Sequence, residues 1–107
     1  MKKFVELNDI KQFIQKNTLS LLYVSSDKCS VCQDVKPKLE KLLEDYPQIH
    51  SGYTKIEEAP EVSGQFTVFT APTIILFVEG KEVLRESRFI QFHKLEEGLS
   101  RWYRELV

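Results

Sequence analysis

Cys29 and Cys32 are the only cysteines among 107 residues, and they stand three apart in the stretch Asp27-Lys28-Cys29-Ser30-Val31-Cys32-Gln33. At the N-terminus of a helix, two thiols at that spacing lie within one turn, which suits a disulfide that closes and reopens while the first sulfur stays exposed. Such a helix end carries free backbone N–H groups and the positive pole of the macrodipole, and both stabilise a thiolate. Cys29 is therefore the expected attacking sulfur, with a pKa below the ~8.5 of a free thiol. Lys28 adds a positive charge beside it, partly offset by Asp27. Two other readings stand next to this one: a pair of inert, half-buried thiols, or half of a zinc site. Zinc needs about four ligands, and His50 and His93 are the only histidines available, with no finger-like spacing. Neither histidine has a recognisable carboxylate partner, so both are expected in solvent.

The elements that must hold the pair are readable on either side of it. Leu19 to Val24 is nearly continuous in apolar residues, the pattern of a strand buried on both faces and so placed mid-sheet. After Cys32, the residues Val35, Leu39, Leu42, Leu43 and Tyr46 recur at helical spacing, with Lys36, Lys38, Glu40 and Lys41 on the opposite, wet face. Pro37 has no N–H and its ring crowds the Gln33 carbonyl, so a kink is expected near the end of the second turn. Pro47 marks the end of this helix. Ile49 to Glu57 reads as the next strand, completing strand, helix, strand with a right-handed crossover.

Upstream, Phe4-Val5-Glu6-Leu7 reads as a short edge strand. Asn8 or Asp9 is the expected N-cap of a helix with Ile10, Phe13 and Ile14 on one face, stopped by Asn17. Downstream, Glu61 to Phe66 reads as a short helix ending near Gly64. Thr73 to Val78 is a second apolar strand, which Glu79-Gly80 turns into Lys81 to Phe89 as a hairpin, the charged second strand lying nearer an edge. Leu95, Leu99, Trp102 and Leu106 mark one face of a terminal helix starting near Gln91, in which Trp102 and Tyr103 are expected to pack. Together these elements describe an α/β chain, a mixed central sheet flanked by helices on both faces, in a single domain over residues 1–107.

Composition narrows the class. With 42% hydrophobic and 11% aromatic residues, the chain can build a core without metals or cross-links, at a length ordinary for one domain. Fifteen basic residues against sixteen acidic ones leave a net charge of -1, which points to neither nucleic acid nor an anionic membrane. The opening MKKFVELNDI has no apolar run of signal-peptide length before Glu6 and Asp9. Ile74 to Val78 falls far short of the ~20 residues of a spanning helix. The expectation is a cytoplasmic monomer with no cofactor and no metal. In that compartment a close cysteine pair is more often catalytic or metal-binding than a structural staple.

Four features in this order resemble the thioredoxin family over nearly the whole chain. Cys29-Ser30-Val31-Cys32 stands at the family's active-site position, and Pro37 at that of its helix-kinking proline. Thr70-Ala71-Pro72-Thr73 matches its cis-proline loop, and Gly80 its hairpin turn. The resemblance implies the thioredoxin fold and a thiol-disulfide oxidoreductase that reduces disulfide-bearing client proteins, its electrons coming from a reductase or a thiol donor. It further implies that Pro72 follows a cis bond beside Cys29 and that the Ala71-Pro72 loop backbone pairs with an extended substrate peptide. From the residues alone, a proline opening an apolar strand is only permitted, and trans is favoured by ~0.5–1 kcal/mol.

The chain also departs from general thioredoxins. Lys28 replaces the aromatic before the first cysteine, and Ser30-Val31 replaces Gly-Pro. Tyr23 stands where those proteins bury an acid held to deprotonate the second cysteine, and Arg88 falls at the groove glycine after the last strand. Tyr23, Lys28, Ser30 and Val31 are accordingly expected to tune the cysteine pair. Two further readings stay open: a reductase dedicated to one client or to a low-molecular-weight thiol, and a binding module in which the cysteines are incidental.

Overall fold

The computed structural model describes residues 1–107. Its elements run β1 (Lys2–Lys3), α1 (Leu7–Lys16), β2 (Leu19–Ser25), α2 (Cys32–Leu43), β3 (His50–Lys55), α3 (Glu61–Phe66), β4 (Thr73–Val78), β5 (Lys81–Ser87) and α4 (Phe92–Leu106). The strands form one mixed sheet in the order β1-β3-β2-β4-β5. β1, β3 and β2 run parallel, while β4 is antiparallel to both β2 and β5.

β2 and β4 are buried over their whole length, because each has a strand on either side and helices over both faces. The two-residue period of a strand sorts their side chains between those faces. Leu19, Leu21 and Tyr23, with Ile74, Leu76 and Val78, meet Val35, Leu39 and Leu43 of α2 and Leu95 and Leu99 of α4. On the other face Leu22, Val24, Ile75 and Phe77 meet Ile10 and Ile14 of α1 and Val62 of α3. Each fully buried Leu or Ile is worth about 1.5–3 kcal/mol, so the strand that leads into the cysteines is anchored from above and below. Gly98 lets α4 lie close on β5, since a Cβ there would meet Leu84 Cδ2 at 2.8 Å.

The hairpin forms as its sequence indicates. Val78 pairs with Lys81, leaving a two-residue loop in which Glu79 and Gly80 have φ of 50° and 84°. Both central residues at positive φ make a type I′ turn, which follows the twist of the strands and favours glycine. Glu79 is held there by its N–H, which donates to the Thr18 carbonyl at 2.8 Å.

Several boundaries differ from the sequence expectation, each for a local reason. Phe4 to Leu7 is not a strand: the ladder is Lys2 and Lys3 opposite Gly52 and Tyr53, ending in one bond from the Phe4 N–H to the Tyr53 carbonyl at 2.8 Å. Phe4 instead turns its ring into the core, 4.9 Å between centroids from Phe13. Helix α1 starts at Leu7 after an extended Glu6 with no side-chain cap, so Asn8 and Asp9 lie inside the first turn, where Asp9 complements the helix dipole. Asn17 does close it, its Nδ2 donating to the Phe13 carbonyl at 2.9 Å and filling an acceptor the last turn leaves open.

β3 ends at Lys55, not Glu57, because the Lys55 carbonyl accepts the N–H groups of Glu58 and Ala59 and starts a turn. Helix α3 continues through Gly64 to Phe66. Arg85 holds that end, its guanidinium donating to the Thr67 and Phe66 carbonyls at 2.9 and 2.6 Å. β5 stops at Ser87 rather than Phe89, since Arg88 adopts φ 69°.

Candidate active site

The chain leaves β2 at Ser25 and turns through residues 26–31 before α2 begins at Cys32. Cys29 lies in that turn rather than in the helix, its N–H donating to the Ser26 carbonyl at 3.1 Å and its carbonyl accepting the Cys32 N–H at 3.3 Å. The two cysteines are joined in a disulfide, with Cα atoms 5.5 Å apart. No side chain caps α2, whose first turn carries one carboxylate, Asp34, so no side-chain cap takes the N–H groups at the positive end of the helix from a sulfur. Exposure separates the pair: Cys32 is 5% exposed and belongs to the core under α2, whereas Cys29 is half-buried at its rim. Pro37 sits inside α2, where it leaves the Gln33 carbonyl without its helical donor.

The loop before Cys29 is held by a carboxylate from far along the chain. Ser26 Oγ donates to Glu57 Oε2, the Asp27 N–H to Glu57 Oε1 at 3.1 Å, and the Lys28 N–H to Ser26 Oγ at 3.2 Å. The Asp27 carboxylate, expected to offset Lys28, instead pairs with Lys55 at 2.9 Å. Lys28 and Ser30 point to solvent, and Val31 is 49% exposed. Sequence reasoning missed Glu57, because its partner Ser26 is 31 residues away and no local pattern links them.

The hydrogen bonds from Ser26 and the Asp27 N–H hold the Glu57 carboxyl below the ordinary glutamate range. A depressed native pKa means that the ionised carboxylate supports the loop fully above the unfolded-state value, and that this support is lost as pH falls through the native one. The Glu57 side-chain carboxyl, followed by carbon NMR, is expected to titrate below a solvated glutamate. Ser26→Ala should move the midpoint up; an unmoved midpoint would mean that the Ser26 contact carries none of the shift.

Beneath the cysteines lies a cleft of about 260 Å³ whose lining includes both sulfur residues, Tyr23, Tyr53, Lys36 and Lys55. Tyr23 has no solvent exposure, and its hydroxyl donates to the Cys32 carbonyl at 2.8 Å. Burial pushes its phenol up to about 12, so it is a neutral donor near physiological pH and takes no proton there. Tyr53 of β3 sits beside it in register. Lys36, expected on the wet face of α2, is half-buried instead. Its Nζ lies 4.4 Å from the Tyr53 ring centroid and 3.7 Å from Glu40 Oε2. Lys38 and Lys41 are exposed, as their spacing implied.

The Ala71-Pro72 bond is cis. Pro72 is buried, and its carbonyl accepts the Arg88 N–H at 2.8 Å. Thr73 Oγ1 donates to the Thr70 carbonyl at 2.8 Å, which fixes the loop from the other side. Half-buried Ala71 packs against the same core cluster as Cys29, and neither its N–H nor its carbonyl pairs with another backbone group. Phe69 and Phe89 are 77% and 80% exposed, and Val31, Arg88 and Phe89 border one groove.

The other singled-out residues lie apart. His50 and His93 are exposed, at the start of β3 and in the first turn of α4. No group of three or more His, Cys, Asp or Glu side chains is placed to hold a metal. Trp102 and Tyr103 pack against the α2 and α4 core, the Tyr103 ring meeting Tyr46 edge-on at 5.1 Å.

A family model described as Thioredoxin matches residues 2–101. The chain is 42% identical over 98 residues to the thioredoxin-like protein YdfQ of Bacillus subtilis, covering 92% of this chain and 88% of that protein. It is 33% identical over 85 residues to a thioredoxin of Chlamydia caviae, covering 79% and 82%. Among solved structures, Fasciola hepatica thioredoxin superposes with a TM-score of 0.86 at 25% identity, over 94% of this chain and 98% of that one.

Proposed function

The chain belongs to the thioredoxin family, and from that premise we propose that Cys29 is the attacking and Cys32 the resolving sulfur of a reductase for protein disulfides. Thiol-disulfide oxidoreductase activity is the activity of the chain. The division of roles rests chiefly on exposure, with Cys29 open to an incoming disulfide and Cys32 only 5% exposed behind it.

In the reduced chain the Cys29 thiolate attacks a client disulfide, and one client sulfur leaves as a thiolate and takes up a proton. Cys32 then gives up its proton and attacks Cys29 Sγ, displacing the second client sulfur and closing the Cys29–Cys32 bond. The client gains the two electrons that the cysteine pair loses, and a reductase or small thiol donor returns them. In a reducing cytoplasm this cycle runs toward client reduction. No helix is long and apolar enough to cross a membrane.

Ala71 offers an N–H and a carbonyl to an extended client segment, and Pro72, tied to Arg88, fixes the angle of that loop. Lys28 favours the thiolate form of Cys29, and Ser30 and Val31 set its immediate surroundings. Exposed Val31 and Phe89, which border one groove with Arg88, offer apolar contact to a client. Arg88 supports a narrower clientele: it places a long cation at φ 69°, at the position where the resemblance expects a groove glycine.

Insulin reduction by dithiothreitol, followed as turbidity, is expected to accelerate with the native protein and not with the double Cys29→Ser, Cys32→Ser variant. Equal rates would overturn the reading and favour a binding module. Slow insulin turnover, combined with rapid reduction of Cys29–Cys32 by a small thiol, would favour the dedicated reductase.

A further inference from the structure

On the dithiol cycle above, we propose that Lys36 is a positioning residue of the resolving step, its ammonium group stabilising the Cys32 thiolate while the Cys32 proton passes to solvent rather than to a base in the cleft. Cys32 is 5% exposed, and burial by itself disfavours a thiolate. The resolving sulfur must nonetheless ionise before it attacks.

The groups that face it come from every element around the cleft. β2 supplies Tyr23, a neutral phenol whose hydroxyl is already donated to the Cys32 carbonyl. β3 supplies Tyr53 and Lys55, and the loop before α2 supplies Asp27 and Cys29, while Lys28 is exposed and lies outside the cleft lining. Asp27 is the one carboxylate lining the cleft, and Lys55 holds it at 2.9 Å. A carboxylate so paired is a weak acceptor for a thiol proton.

Lys36 is placed differently. It follows Cys32 by four residues in α2, so the two side chains share a face with about 5–6 Å between Cβ atoms. Its Nζ over the Tyr53 ring at 4.4 Å keeps the stem along the cleft instead of out in water. Glu40, its ion-pair partner at 3.7 Å, lies a further turn along the helix, about 12 Å of rise from Cys32. Lys36 is the one α2 charge that lines the cleft, Asp34 and Glu40 lying outside its lining, in surroundings that screen it less than bulk water. As Cys32 attacks Cys29 Sγ, the Cys29–client bond breaks and the client thiolate leaves and is protonated, so the electron count is that of the cycle already described.

The reduced protein mixed with 5,5′-dithiobis(2-nitrobenzoate) in a stopped-flow instrument separates the steps, since Cys29 releases a first nitrothiobenzoate and Cys32 displaces the second. In Lys36→Met the pH midpoint of the second release is expected to rise by about one unit. At neutral pH that release should slow about threefold, because a tenfold loss of thiolate is half recovered, on a logarithmic scale, by the greater nucleophilicity of a more basic sulfur. Above both midpoints the variant should overtake the native protein. Lys36→Arg should keep the native profile, and so should Lys41→Met, which removes the same charge from the exposed face. An unchanged midpoint in Lys36→Met, a shift in Lys36→Arg, or an equal shift in Lys41→Met would overturn the proposal. Release of only one equivalent by the native protein would instead overturn the dithiol reading, and the proposal with it.

Discussion

Cys32→Ser is expected to trap clients as mixed disulfides, while Cys29→Ser traps none. In the first variant the attacking sulfur keeps its half-open position and the uncapped end of α2, so the first exchange proceeds. A serine hydroxyl in place of the buried thiol is too weak an acid to complete the second exchange, and the intermediate accumulates. In the second variant the remaining sulfur is 5% exposed and no client disulfide reaches it. Turnover should fall at least about 100-fold in either variant, because a thiol held against its target outcompetes free thiols through a large effective concentration. Non-reducing gels of client mixtures, with dithiothreitol reversal as the control, read the result. Equal trapping by both variants would sink the division of roles.

Tyr23→Ala is expected to cost about 3–5 kcal/mol of stability, the range for truncating a large buried ring. Tyr23 is among the largest side chains with no exposure, and its ring fills the space between β2 and the first turns of α2. Against a total of about 5–15 kcal/mol for a domain, that leaves the variant marginal. Tyr23→Phe keeps the ring and loses only the donor to the Cys32 carbonyl, so it should cost about 1 kcal/mol. Urea unfolding of both variants, each in reduced and oxidised form, measures the difference. Because the phenol stays neutral near pH 7, Tyr23→Phe should leave the neutral-pH insulin rate in place. A large loss of rate without a loss of stability would mean that the hydroxyl acts in the chemistry and not in the packing.

Much of this was legible because it is local. The apolar continuity of Leu19 to Val24 and of Thr73 to Val78 shows two central strands, since a strand covered on both faces has no polar side to write. Glu79-Gly80 shows its turn because positive φ restricts which residues fit. The Cys29–Cys32 disulfide follows from a three-residue spacing, whereas the cis Ala71-Pro72 bond is implied by the family resemblance and not by the residues alone.

What stayed hidden depends on register or on distant partners. β1 is two residues long at Lys2–Lys3, set by pairing with Gly52 and Tyr53 rather than by any apolar pattern of its own. Glu57 reaches back to Ser26 and the Asp27 N–H only because β3 runs parallel to β2 and ends level with it. Lys36 looked like one more lysine on the wet face of α2. Periodicity assigns a face but cannot reveal an aromatic ring on the neighbouring strand, and Tyr53 is what draws that side chain along the cleft.

The claim that organises the molecule is that Cys29 and Cys32 form one reversible two-electron couple. The direct measurement equilibrates the protein across graded glutathione and dithiothreitol buffers, quenches it in acid, alkylates it and counts free thiols by mass. The account predicts a single transition in which both thiols appear together, with a two-electron slope and the same curve from either direction. Thiols that appear one at a time, or a disulfide that does not re-form once opened, would contradict it.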